Sequence, residues 1–87
     1  MAMNDIEKEV KEILAKSKYG LTEADIDNAS DFIAHGEYGV ALELISEQLY
    51  ENEARVDADL LDSVQKTAFS MGLDKSSWAF LDESLLT

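Results

Sequence analysis

The chain has 87 residues, 46% of them apolar, with four glycines, no proline and no cysteine, and a formal charge of −12 from 19 carboxylates against seven Lys and Arg. That length makes one domain, residues 1–87, with a radius of gyration of about 12 Å and no room for both a large catalytic cleft and a stable core. The composition excludes disorder, disulfides and thiolate zinc sites, and an isoelectric point near 4.1 sets the chain against nucleic acid and anionic membrane surfaces as direct partners.

The opening MAMNDIEKEV is acidic by Asp5 and lacks the apolar stretch of a secretory signal. No run approaches the roughly 18 apolar residues of a membrane span. With the absence of thiols, the expectation is a cytoplasmic protein. Residues 5–18 place Ile6, Val10, Ile13 and Leu14 on one face of a first helix, with Glu7–Lys11 and Glu12–Lys16 as favourable i, i+4 pairs and Gly20 as its terminator. Thr22 is the expected N-cap of a second helix whose core side is Ile26, Ala29, Phe32 and Ile33, with Glu23 and Asp25 in its first turn and Gly36 at the C′ position. Residues 38–51 make a third helix, buried along Tyr38, Ala41, Leu42, Ile45 and Leu49. The short connection around Gly36 and Glu37 forces an antiparallel or sharply angled pair. Asn52 to Val56 reads as a loop. Asp57 caps a fourth helix running to Met71, with Leu60, Leu61, Val64, Ala68 and Met71 inward and Gly72 closing it. Asp74 caps a short last helix with Trp78, Leu81 and Leu85 on its apolar side. No segment alternates with period two for long enough to be a strand. The predicted fold is all-α, a compact bundle of four to five short helices.

The charge is not spread evenly. Residues 19–65 hold twelve carboxylates against the single Arg55, net −11, whereas residues 1–18 balance at zero and residues 66–87 add −1. In the second helix Glu23, Asp27, Asp31 and His35 follow at four-residue steps, and in the third Glu43, Glu47 and Glu51 do the same. Each ridge falls about 160° from the apolar stripe of its own helix, so both point to solvent. A solvated helix face is the ordinary reading of such a run. A face that serves solubility alone interleaves lysine, and no lysine stands between positions 18 and 66.

Other constellations carry less. Asp57, Asp59 and Asp62 lack the spacing, the glycine and the final glutamate of a calcium loop, and helix capping by Asp57 accounts for them. His35, the one histidine, has no nucleophile or metal motif around it and suits a helix C-terminus. Carboxylates on exposed ridges have no walls to drive their pKa values apart, as hydrolytic pairs require. No enzyme, no cofactor and no metal is expected. Trp78, with Phe80 and Leu81, reads as a lid over the core or as an anchor for a partner. Tyr50, beside the acidic ridge, is the better interface tyrosine than Tyr38.

The stretch DFIAHGEYGVALELISEQL, Asp31–Leu49, resembles bacterial immunity proteins of the MafI type, from polymorphic-toxin and contact-dependent growth inhibition systems. Glu37 and Tyr38 match their G-E-Y-G corner, Ala41, Leu42 and Glu43 match the helix that follows, and Gly72–Asp74, Trp78 and Leu81 resemble a later part of the pattern. The resemblance implies a small cytoplasmic helical protein that binds and neutralises the C-terminal domain of a cognate toxin, often a nuclease (an RNase, tRNase or DNase). It implies scaffold roles for Gly36, Tyr38 and Leu42 and assigns no toxin contacts.

The residues agree on independent grounds. A nuclease binds phosphate with a basic cleft, and an inhibitor presenting carboxylates can occupy or border it. The expected partner-binding residues are Asp27, Asp31, Glu43, Glu47, Tyr50 and Glu51. Two other readings use the same features. An acidic adaptor or regulatory subunit for a non-toxin partner needs only the same surface. An acyl carrier protein needs a glycine before its serine at a helix start, whereas Asp62–Ser63–Val64 falls inside a helix. Oligomeric state is not legible.

Overall fold

A computed structural model describes residues 3–73. Four α-helices run in order: α1 (Met3–Ser17), α2 (Glu23–Ala34), α3 (Tyr38–Glu51) and α4 (Ala58–Ser70), with a 3-10 turn over Lys18–Gly20. Among the described residues there is no strand, so the all-α bundle stands. The radius of gyration is 11.7 Å. The expected last helix, with Asp74, Trp78, Phe80, Leu81 and Leu85, lies outside the described residues.

α1 buries Ile6, Val10, Ile13 and Leu14, the four residues its periodicity selects. Ser17 is buried beside them because its hydroxyl donates to the Ile13 carbonyl at 2.7 Å, which removes the cost of an unpaired polar group. Glu7 and Lys11 approach to 3.9 Å, while the expected Glu12–Lys16 ion pair does not form. α2 opens on a complete capping box: Asp25 N–H donates to Thr22 Oγ1 at 3.1 Å, and Thr22 N–H donates to the Asp25 carboxylate at 3.0 Å. It buries Ala29 and Ile33 fully and Ile26 in part. Phe32 corrects the expected stripe, for it is 36% exposed. It sits about 80° round the helix from the Ala29–Ile33 line, at the rim of a narrow contact.

α3 has Ala41, Leu42, Ile45 and Leu49 wholly inaccessible. Ser46 joins them and donates to the Leu42 carbonyl at 2.9 Å. α4 begins at Asp57, whose carboxylate accepts from Leu60 N–H at 2.8 Å. It buries Leu60, Leu61, Val64, Thr67 and Ala68, and Met71 falls at its C-cap, only partly covered. Val56, read as loop, is fully buried between α3 and α4. α1 packs against all three other helices, as does α3 apart from a lighter contact with α4.

Three helices end in the same two-bond corner. Gly36 and Glu37 N–H groups donate to the Ile33 and Phe32 carbonyls, Glu53 and Ala54 to those of Tyr50 and Leu49, and Gly72 and Leu73 to those of Phe69 and Ala68. The C′ residue takes a left-handed φ: 75° at Gly36, 74° at Gly72 and 55° at Glu53. Glu53 thus holds a glycine's conformation with a Cβ present. Gly20 is different from the expected terminator, since it is not among the left-handed residues. A Cβ there would stand 2.5 Å from Ala54 Cβ and 2.8 Å from Leu49 Cδ2. Glycine is required by this close approach of the α3–α4 loop.

Candidate interaction surface

α2 and α3 form the closest helix pair and lie antiparallel, because Asn52, just past the end of α3, reaches back to Asp25 at the start of α2 (3.4 Å). Their buried stripes face α1. The opposite sides carry Asp27 and Asp31 on α2 and Glu43, Glu47 and Glu51 on α3, all exposed. Every acidic residue expected to contact a partner therefore lies on the outer side of one two-helix layer.

The residues are not equally close to one another. Glu47, Tyr50 and Glu51, with Gln48, line an open depression of about 400 Å³ at the C-terminal end of α3. Tyr50 is 42% exposed there. Glu43 stands one turn back along the same ridge. Asp31 faces solvent farther along α2, with the His35 ring 3.9 Å from its carboxylate. His35 is exposed at the C-cap, its Nδ1 2.8 Å from the Asp31 carbonyl. It serves the helix end.

The antiparallel pairing adds residues that the ridges alone did not single out. The start of α2 (Glu23, Asp25 and Asp27) lies toward the end of α3 (Glu47 and Glu51), with Glu53 just past it, and the chain then turns into Asp57. Lys18 and Arg55 are the cations in this acidic pole. The only sequence signal for Asp25, Glu53 and Asp57 as a group was the net charge of the segment, since they belong to three different turns.

Helix polarity sharpens the pole. α1 has Asp5 in its first turn and Lys16 in its last, α2 has Glu23 and Asp25 in its first, and α4 has Asp59 there. These follow the helix dipole. α3 runs against it. It has no acidic residue in its first turn and no basic one in its last, where Glu51 stands and Glu53 follows. A helix C-terminus carries about half a negative charge, so each carboxylate there costs about 0.3–1 kcal/mol where one at the other end would gain it.

The opposite side of the molecule is built differently. The groove between α1 and α4 is lined by Glu9, Glu12, Lys16 and Lys66 with Thr67, whose hydroxyl donates to Glu9 at 3.3 Å. Lys66 also pairs with Asp62 at 3.0 Å. Carboxylate and lysine alternate there, as on an ordinary solubilising face.

Two tyrosines have perturbed phenols. Tyr19 is pushed above the usual range, first by partial burial and then by the negative charge of Asp57. Tyr38 is also raised, by burial and by Glu7, to which its hydroxyl donates at 3.4 Å. Among the described residues no three His, Cys, Asp or Glu side chains are placed to hold a metal ion. No helix among them is long and apolar enough to cross a membrane.

Fold and surface together define a small all-α bundle with one single-signed face. The chain matches no known protein-family model, no curated protein and no solved structure.

Proposed function

We propose that this chain is an immunity protein that binds and neutralises the C-terminal domain of a cognate bacterial toxin, a basic nuclease, through the outer side of the α2–α3 layer. The reading rests on one observation: the acidic groups of that layer gather without interleaved lysine, and α3 ends on Glu51 with no basic residue in its last turn. Glu23–Asp27, Asp27–Asp31, Glu43–Glu47 and Glu47–Glu51 are like-charged i, i+4 neighbours. At about 0.2–0.5 kcal/mol each they cost roughly 1–2 kcal/mol together. A small domain has about 5–15 kcal/mol in all, so this is a sizeable sacrifice for a surface with no further use.

A cationic protein would recover that cost. Opposite fields raise association rates well above those of neutral pairs and suppress wrong partners. The partner face needs about 800 Å² per side, an area that two adjacent helix faces can supply. In this reading Asp27, Asp31, Glu43, Glu47 and Glu51 steer the encounter, and Tyr50 supplies an amphipathic anchor in the depression. The protein acts as a stoichiometric inhibitor in the cytoplasm and performs no chemistry of its own. An adaptor for a non-toxin partner would use the same surface, and the test separates the two.

The product of the gene beside this one is scored for toxicity on its own, then co-expressed with the chain and scored for pull-down and rescue of growth. Rescue supports immunity; capture of a non-toxic neighbour in its place supports the adaptor. The double reversal Glu43→Lys/Glu47→Lys then slows association at least tenfold at low salt and flattens the salt dependence. Unchanged affinity and salt slope would mean that the docking surface has been misassigned.

A further inference from the structure

We propose that the α1–α2 connector and the α3–α4 loop form a clasp that opens and closes as one unit and sets the spacing of the acidic pole. Contacts centred on Tyr19, Asn52 and Gly20 join residues 27 to 36 positions apart. The Tyr19 hydroxyl donates to the Arg55 carbonyl. The Asn52 side-chain amide donates to the Gly20 carbonyl at 2.8 Å and reaches the Asp25 carboxylate at 3.4 Å. The bare Gly20 backbone lies against Ala54 and Leu49.

Leu49 and Val56 of the clasp belong to the core and Leu21 and Ala54 pack against it in part, while its polar residues are at the surface. Tyr19 is 62% exposed, and Asn52, Glu53 and Arg55 are exposed as well. Outside those apolar residues it is held by polar bonds and one close backbone contact, each of modest net worth. Asp25, Glu51, Glu53 and Asp57 all lie on or beside the segments that it joins. Contacts of this kind open locally at far lower cost than the whole fold. Opening frees the loop that carries Glu53 from the connector that leads to Asp25, so Asn52 and Tyr19 are positioning residues for the charged face. The clasp is a property of the free chain. Only its effect on binding rests on the docking surface proposed above.

Amide hydrogen exchange of the full chain tests the clasp. Leu21 N–H, bonded to the Lys18 carbonyl, reports one side, and Ala54 N–H, bonded to the Leu49 carbonyl, reports the other. Asn52→Ala and Tyr19→Phe each speed exchange at both amides together, by about three- to tenfold. The amides of Val10 and Val64, inside α1 and α4, keep their rates. If only the mutated side loosens, or if the helix amides accelerate by the same factor, the clasp is not a unit and the proposal fails. A hexa-arginine peptide, titrated at low salt, provides the second arm. Its affinity for Asn52→Ala falls by at least twofold if the clasp positions the carboxylates. Paired loosening with unchanged peptide affinity overturns the positioning role while leaving the acidic surface as a docking face. No peptide binding by the wild type would sink that face, and exchange would still decide the clasp.

Discussion

Gly20→Ala puts the tertiary reading of this glycine against the local one. Its φ lies outside the left-handed region, so backbone entropy alone predicts a gain of about 0.4–1 kcal/mol from alanine. The packing predicts the reverse. The new methyl would lie 2.5 Å from Ala54 Cβ and 2.8 Å from Leu49 Cδ2, whereas carbon atoms rest at about 3.5–4.0 Å. Leu49 can turn its methyl only within a core where it is wholly buried. Ala54 has no side-chain freedom, and its N–H is bonded to Leu49, so the loop backbone must retreat by about 1 Å. Overpacking of this kind costs about 1–3 kcal/mol, and the retreat strains the Asn52–Gly20 bond, worth about 0.5–1.5 kcal/mol more. We expect a loss of roughly 2–4 kcal/mol, or a Tm lower by about 8–32 °C at about 4–8 °C per kcal/mol. Urea and thermal melts followed by far-UV circular dichroism measure it. Combining Gly20→Ala with Ala54→Gly removes the shorter clash and recovers at least about 1 kcal/mol in a double-mutant cycle. A neutral or stabilising Gly20→Ala would refute the close approach as the reason for glycine.

Glu53→Gly relieves a left-handed residue bearing a Cβ and removes a carboxylate from the end of α3, and is expected to stabilise by about 1 kcal/mol; a lower urea midpoint would contradict this. Thr22→Ala removes the hydroxyl half of the α2 capping box and should cost about 0.5–2 kcal/mol, with Thr22→Ser retaining most of it. The raised Tyr19 phenol means that the native chain holds this proton longer than the unfolded one. Its contribution is complete below the ordinary tyrosine range of about 10 and is lost as pH rises through the native value. The alkaline fall in stability is therefore expected to be shallower in Tyr19→Phe, and identical curves for the two proteins would exclude Tyr19 as its source.

Much of the fold was legible because local chemistry and global burial agree. Apolar spacing selected Ile6, Val10, Ile13 and Leu14 in α1 and Leu60, Leu61, Val64 and Ala68 in α4, all of them buried. Thr22 and Asp57 were readable as caps because each offers an oxygen to an N–H three residues on. The misses have a common cause. Phe32 has the right period and the wrong neighbours, and Val56 lies in a stretch without period yet is wholly buried in the core. Ser17, Ser46 and Thr67 are polar by type but buried, because their hydroxyls find partners on the previous helical turn or on α1.

The order of charge along each helix, and hence two outward acidic ridges, follows from the sequence by itself, since a 3.6-residue period fixes which side chains share a face. Where the ridges concentrate does not. Only the antiparallel packing of α2 on α3, tied at Gly20, Asn52 and Tyr19, sets the start of α2 beside the end of α3. Side-chain period acts within a helix, whereas the meeting of two helix ends depends on contacts between residues far apart in the chain.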